Sequence, residues 1–73
     1  MMPSIQQFQQ QVLASYKAGL ATEEKQLKLN KSYLKSPDVD PEQVPFIESL
    51  IRGHENQIRI YNELIKQASS PKA

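Results

Sequence analysis

From Ser4 to Leu34 the apolar residues of this chain return at helical intervals. Ile5, Val12, Leu13, Tyr16, Leu20, Leu27 and Leu34 fall on one stripe at about 100° per residue, as in an amphipathic helix. Among them Leu13, Leu20, Leu27 and Leu34 repeat every seventh position, the spacing of a coiled-coil seam. The start is marked too. Ser4 with Gln7 forms a capping box, in which a hydroxyl and an amide each satisfy a backbone N–H that the helix leaves open. The pattern predicts a first helix over about residues 4–35.

Gly19 is its weak point, since glycine inside a helix costs about 1 kcal/mol relative to Ala. Thr22, followed by Glu23 and Glu24, is a fitting cap and first turn for a fresh helix. The two readings are thus a helix that runs on or merely bends at the glycine, and a break over 19–21. The seam keeps its phase across Gly19, which a loop has no reason to preserve, and that favours the first.

Residues 36–40 are a loop. Pro37 disfavours helical geometry at Ser36 and ends the first helix. Asp40 then reads as an N-cap, Pro41 as the first helical residue and Gln43 as the reciprocal capping partner. Pro45 removes a helical N–H, so the helix is expected to open with a distorted turn and to become regular from Phe46. Beyond it, Ile47, Ile51, His54, Ile58, Tyr61, Ile65 and Ala68 keep alternate spacings of four and three, and Leu50 and Leu64 widen the stripe. Glu48 with Arg52, and Glu55 with Arg59, are expected i,i+4 pairs. The second helix spans about 41–68 and a frayed tail 69–73. A connection this short makes the helices antiparallel neighbours. The fold class is all-α, a single helical-hairpin domain over residues 1–73 with two long helices, the first bent or straight at Gly19.

Composition narrows what such a hairpin can be. Its 73 residues include no Cys and one His, so disulfides are ruled out and structural zinc nearly so. A chain this small is then expected to complete its core on another chain. Nine Lys and Arg against eight Asp and Glu leave a net charge of +1, which argues against a dedicated nucleic-acid binder. No apolar run reaches membrane-spanning length, and the first residues lack the features of a signal peptide. The expectation is a cytoplasmic protein without cofactor, metal, nucleic-acid or membrane partner. Glutamines crowd positions 6–11, yet apolar residues recur there at helical spacing, so the stretch reads as a soluble helix face.

Catalysis has little to build on. One His and scattered carboxylates make no acid–base constellation, and the chain is expected not to be an enzyme. His54 lies on the seam between Ile51 and Ile58, where a polar residue reaching a neighbour for its hydrogen bond is the plain reading. A pH-sensitive contact is the sharper one. Lys25, Lys28, Lys31 and Lys35 gather on one flank of the first helix and read as a solvated face, with a docking strip for an acidic partner as the alternative. Leu29 and Tyr33 stand one turn apart and away from the seam, as do Phe8 and Ile60 on their own helices. A two-helix hairpin has no use for apolar residues there, so Leu29 and Tyr33 are candidates for a second contact surface, taken by a partner chain or a second copy.

The stretch from Asp40 to Tyr61, DPEQVPFIESLIRGHENQIRIY, resembles the second helix of the small YscE-type co-chaperones of bacterial type III secretion. Gln43, Glu55, Ile58 and Ile60 match the Gln, the Glu and the closely spaced Ile residues of that family; Pro45 and His54 depart from it. The resemblance covers about residues 20–64. It implies a helical hairpin that binds and stabilises a TPR-like helical chaperone, the pair keeping the needle subunit from polymerising in the cytoplasm before export. By the same resemblance, Leu50, Ile51, Ile58, Tyr61 and Ile65 pack on the first helix and on that partner. A rival lies in the same machinery. Needle and inner-rod subunits also fold as hairpins, around a turn like that over Ser36–Pro41, with a Tyr-containing helix after it. They continue into a longer apolar helix, whereas this sequence runs into Ser69-Ser70-Pro71, and the subunit reading is placed second. A small regulatory helical homodimer is the third.

Overall fold

A computed structural model of the chain describes residues 4–69. Two helices account for nearly all of them: α1, Ile5–Leu34, and α2, Val44–Ser69, preceded by a single 3-10 turn over Pro41–Gln43. They pack against each other as an antiparallel hairpin, and no strand occurs among the described residues. The all-α hairpin is the fold.

α1 starts as its capping box requires. Ser4 Oγ accepts the Gln7 N–H, and the Ser4 N–H donates to Gln7 Oε1, both at 3.1 Å. The helix then continues through Gly19 without a break. Thr22 caps nothing: its hydroxyl donates to the Ala18 carbonyl at 3.0 Å, a bond made inside a helix rather than at its start. After Leu34 the chain turns on Ser36, whose Oγ accepts the Asp38 N–H at 3.2 Å.

The entry to α2 differs from expectation in detail. Asp40 Oδ1 accepts the Glu42 N–H at 3.0 Å, as a cap should, but it caps the 3-10 turn. Gln43 closes that turn with its own backbone N–H, on the Asp40 carbonyl at 2.9 Å. Regular helix begins at Val44, earlier than Phe46, because Pro45 falls in the first turn of α2, where an absent N–H forfeits no intrahelical bond. Ser69 is helical rather than part of a tail; residues 70–73 lie outside those described.

The seam is a heptad on both sides. In α1 the seam positions 13, 16, 20, 23, 27, 30 and 34 are all half-buried; in α2 they are 44, 47, 51, 54, 58, 61, 65 and 68, with Val12, Gly19 and Leu64 half-buried beside them. Tyr16 meets Tyr61, ring centroids 6.5 Å apart. Seven residues on along α1 and seven back along α2, Glu23 meets His54. The molecule is 53 × 27 × 14 Å, one helix thick. Its radius of gyration is 16.9 Å, against about 11 Å for a globular chain of this length. Only Ile47, in the first turn of α2, is fully buried among the described residues, at 6% exposure. There is no helix long and apolar enough to cross a membrane among them.

Candidate interaction surface

Three structural positions follow from the seam: the seam itself, and the two faces of the ribbon on either side. In an antiparallel pair of right-handed helices, residues one step after the seam on each helix share one face, and those one step before it share the other.

On the first face the charges collect. α1 contributes Lys17, Glu24, Lys28, Lys31 and Lys35, and α2 contributes Glu48, Arg52, Glu55 and Arg59. Lys31 Nζ reaches across to Glu55 Oε2 at 3.7 Å. The expected i,i+4 pairs give way to nearer partners. Arg52 Nη2 donates to Ser49 Oγ at 3.1 Å and Arg59 Nη2 to Asn56 Oδ1 at 2.7 Å, one turn back, while Glu55 turns to the other helix. A shallow groove of about 570 Å³ runs along this face, with Leu27 and Ile58 at its floor and Glu24, Lys28, Lys31 and Lys35 among its walls. Lys25 stands apart from it. With both signs of charge present, the face reads as a solvated surface rather than a strip for an acidic partner.

The second face is of another kind. From Ile5 to Tyr33 its α1 stripe reads Ile5, Phe8 and Val12, then Ser15, Gly19, Thr22 and Gln26, then Leu29 and Tyr33. From Phe46 to Gln67 its α2 stripe reads Phe46 and Leu50, then Gly53 and Gln57, then Ile60, Leu64 and Gln67. None of these positions holds Asp, Glu, Lys or Arg. Every large apolar side chain that the described residues expose lies here: Ile5 at 79%, Phe46 at 60%, Phe8 at 58% and Leu29 at 55%, with Tyr33, Leu50 and Ile60 between 36% and 41%. At those exposures the seven residues leave roughly 700 Å² uncovered, most of it apolar and close to what one partner contributes to a standard protein–protein interface.

The residues singled out from sequence therefore divide. Leu29, Tyr33 and Leu50 stand on the neutral face, together at the loop end of the hairpin. Ile51, Ile58, Tyr61 and Ile65 are half-buried in the seam and serve the contact between the two helices. Phe46, not foreseen, is more exposed than any of the seven. Its position one turn before Leu50 was the available signal. Ile5, placed on the seam stripe by its spacing, belongs to the neutral face instead, as Phe8 does.

The seam has one polar layer. His54 Nδ1 lies 2.7 Å from Glu23 Oε1, both side chains about one-fifth exposed. A carboxylate only accepts, so Nδ1 carries the proton. His54 thus finds its partner in a residue that the apolar pattern passed over. Since both sit on seam positions, sliding one helix by a turn would strand both, and the pair holds the register. The described residues hold no cluster of three potential metal ligands.

No family model matches the sequence, and neither a curated protein nor a solved structure shows significant similarity to it.

Proposed function

We propose that this protein is a non-enzymatic co-chaperone, a hairpin that binds and stabilises a TPR-like helical chaperone so that the two hold a type III secretion needle subunit unpolymerised in the bacterial cytoplasm. The observation that carries this reading is the neutral face. A ribbon one helix thick, with its own seam satisfied and a second, charge-free stripe along both helices, is shaped to add a layer to another helical surface. TPR repeats present such a surface as stacked helix pairs. The resemblance of residues 40–61 to the YscE-type family supplies the class of partner. In this arrangement Leu29, Tyr33 and Leu50 touch the chaperone, joined by Phe46, while Ile51, Ile58, Tyr61 and Ile65 act by holding the hairpin in shape.

Co-expression with the TPR-like chaperone of the same secretion system tests it. The expected outcome is co-elution of the two chains and a chaperone that melts at higher temperature with the hairpin than without it. Separate elution with an unchanged melting temperature would overturn the reading.

A further inference from the structure

We infer that a second copy of this chain covers the neutral face when no other partner does, two hairpins stacking face to face as a four-helix bundle. The inference stands on the face alone and needs nothing from the co-chaperone reading.

Charge is the first argument. A two-fold axis sets each residue of the patch against another residue of the same patch, so a patch without charges leaves no ion to be buried unpaired. The charged face, with Lys28, Lys31, Lys35, Arg52 and Arg59 beside Glu24, Glu48 and Glu55, would have to find a partner for each of these ions before it could be covered. The neutral face carries no such group and is complementary to itself. Its most exposed apolar side chains stand toward the two ends of the ribbon, Ile5 and Phe8 at one and Leu29, Tyr33, Phe46 and Leu50 at the other, with Ile60 nearer the middle. Either two-fold arrangement, like end on like or end on opposite end, sets apolar against apolar.

Area is the second. Pairing through the neutral face can remove up to roughly 700 Å² from each copy, close to what a standard interface takes from one partner.

Gly53 is the third. It lies on this face, the tenth of the 26 residues of α2, and a Cβ placed there would meet nothing within 4 Å. Its φ is not positive, so the hairpin itself gains nothing from a glycine. A bare backbone on such a face is where a second helix can come close.

Light scattering coupled to size exclusion, on the full chain, decides the matter. The mass is expected to rise twofold, from one chain to two, by about 100 µM, above the micromolar limit for interfaces of this size. Phe46→Glu and Leu29→Glu, both at exposed positions, are each expected to hold the mass at one chain while the helical circular dichroism is unchanged. Lys28→Glu, on the charged face, is expected to leave the dimer intact. Should Phe46→Glu unfold, Ile60→Glu and Leu29→Glu carry the same test. A helical wild-type chain that stays monomeric at about 100 µM overturns the inference. So does a dimer lost in Lys28→Glu but kept in the neutral-face variants, or a mass that climbs without limit, the mark of an open head-to-tail assembly. None of these results bears on co-elution with a chaperone, so the two proposals fail separately.

Discussion

The hairpin has two glycines, one on each helix and both on the neutral face, and they are opposites. Gly19 is a notch that this chain fills itself. A Cβ added there would lie 2.6 Å from both Cζ and Oη of Tyr61, so the ring rests directly on the backbone of α1. Gly53 is a notch that nothing in this chain fills. Both positions forfeit helix propensity, and only the first shows an intramolecular return for it. The contrast teaches how to read the rest of the surface: closed sites belong to the hairpin, and open ones of the same chemistry are where the proposed partner would sit.

Gly19→Val should break the comparison hardest. The added branches meet the tip of the Tyr61 ring and drive it away from Tyr16, and overpacking of this sort costs about 1–3 kcal/mol. Chemical denaturation with far-UV dichroism measures it. A Gly19 variant as stable as wild type would mean that Tyr61 does not lean on α1. Gly53→Ala should move the other way. With room for the methyl and no special φ to satisfy, it recovers about 1 kcal/mol of helix propensity and raises the melting temperature by roughly 4–8 °C. A loss of stability there in the monomer would show that the open notch has an intramolecular role after all.

How much of this was legible in the sequence depends on the range of the interaction. The capping box at Ser4, the loop over 36–40 and both helix spans follow from local spacing, and the ends fall within a few residues of expectation. The surplus of apolar residues off the seam was visible as well, in Phe8, Leu29, Tyr33 and Ile60. That they share one face was not. Seeing it requires the seam to be traced through its polar members, Glu23 and Asn30, which an apolar periodicity does not mark. The place of Gly19 is hidden for a similar reason: the ring that rests on it comes from residue 61, far along the chain. The partners of Arg52 and Arg59 were missed on other grounds. Alternatives among exposed side chains three and four residues apart differ by only tenths of a kcal/mol.

The distinction between closed and open also divides the two contacts that cross between the helices. Glu23 with His54 is half-buried and short. Removing either side chain leaves the other facing the seam without its partner, so a cycle of Glu23→Ala, His54→Ala and the double variant is expected to give a coupling of about 0.5–1 kcal/mol. Additive effects would mean that the hydrogen bond does not hold the register. Glu23→Leu combined with His54→Leu should recover stability, because apolar residues of similar volume fit a seam as well as a hydrogen-bonded pair does.

Lys31 with Glu55 is the open counterpart, and the smallest effect is expected from it. At 3.7 Å, with both side chains about half exposed, the ions remain largely in water. Attraction is weak in so high a dielectric, and ordering two long side chains costs entropy that offsets it. Lys31→Ala should therefore change stability by no more than about 0.5 kcal/mol, and that difference should fade as salt rises and screens the pair. A larger, salt-independent loss would place the contact among the closed ones. It would also mean that the groove beside it, floored by Leu27 and Ile58, belongs to the seam rather than to a solvated face.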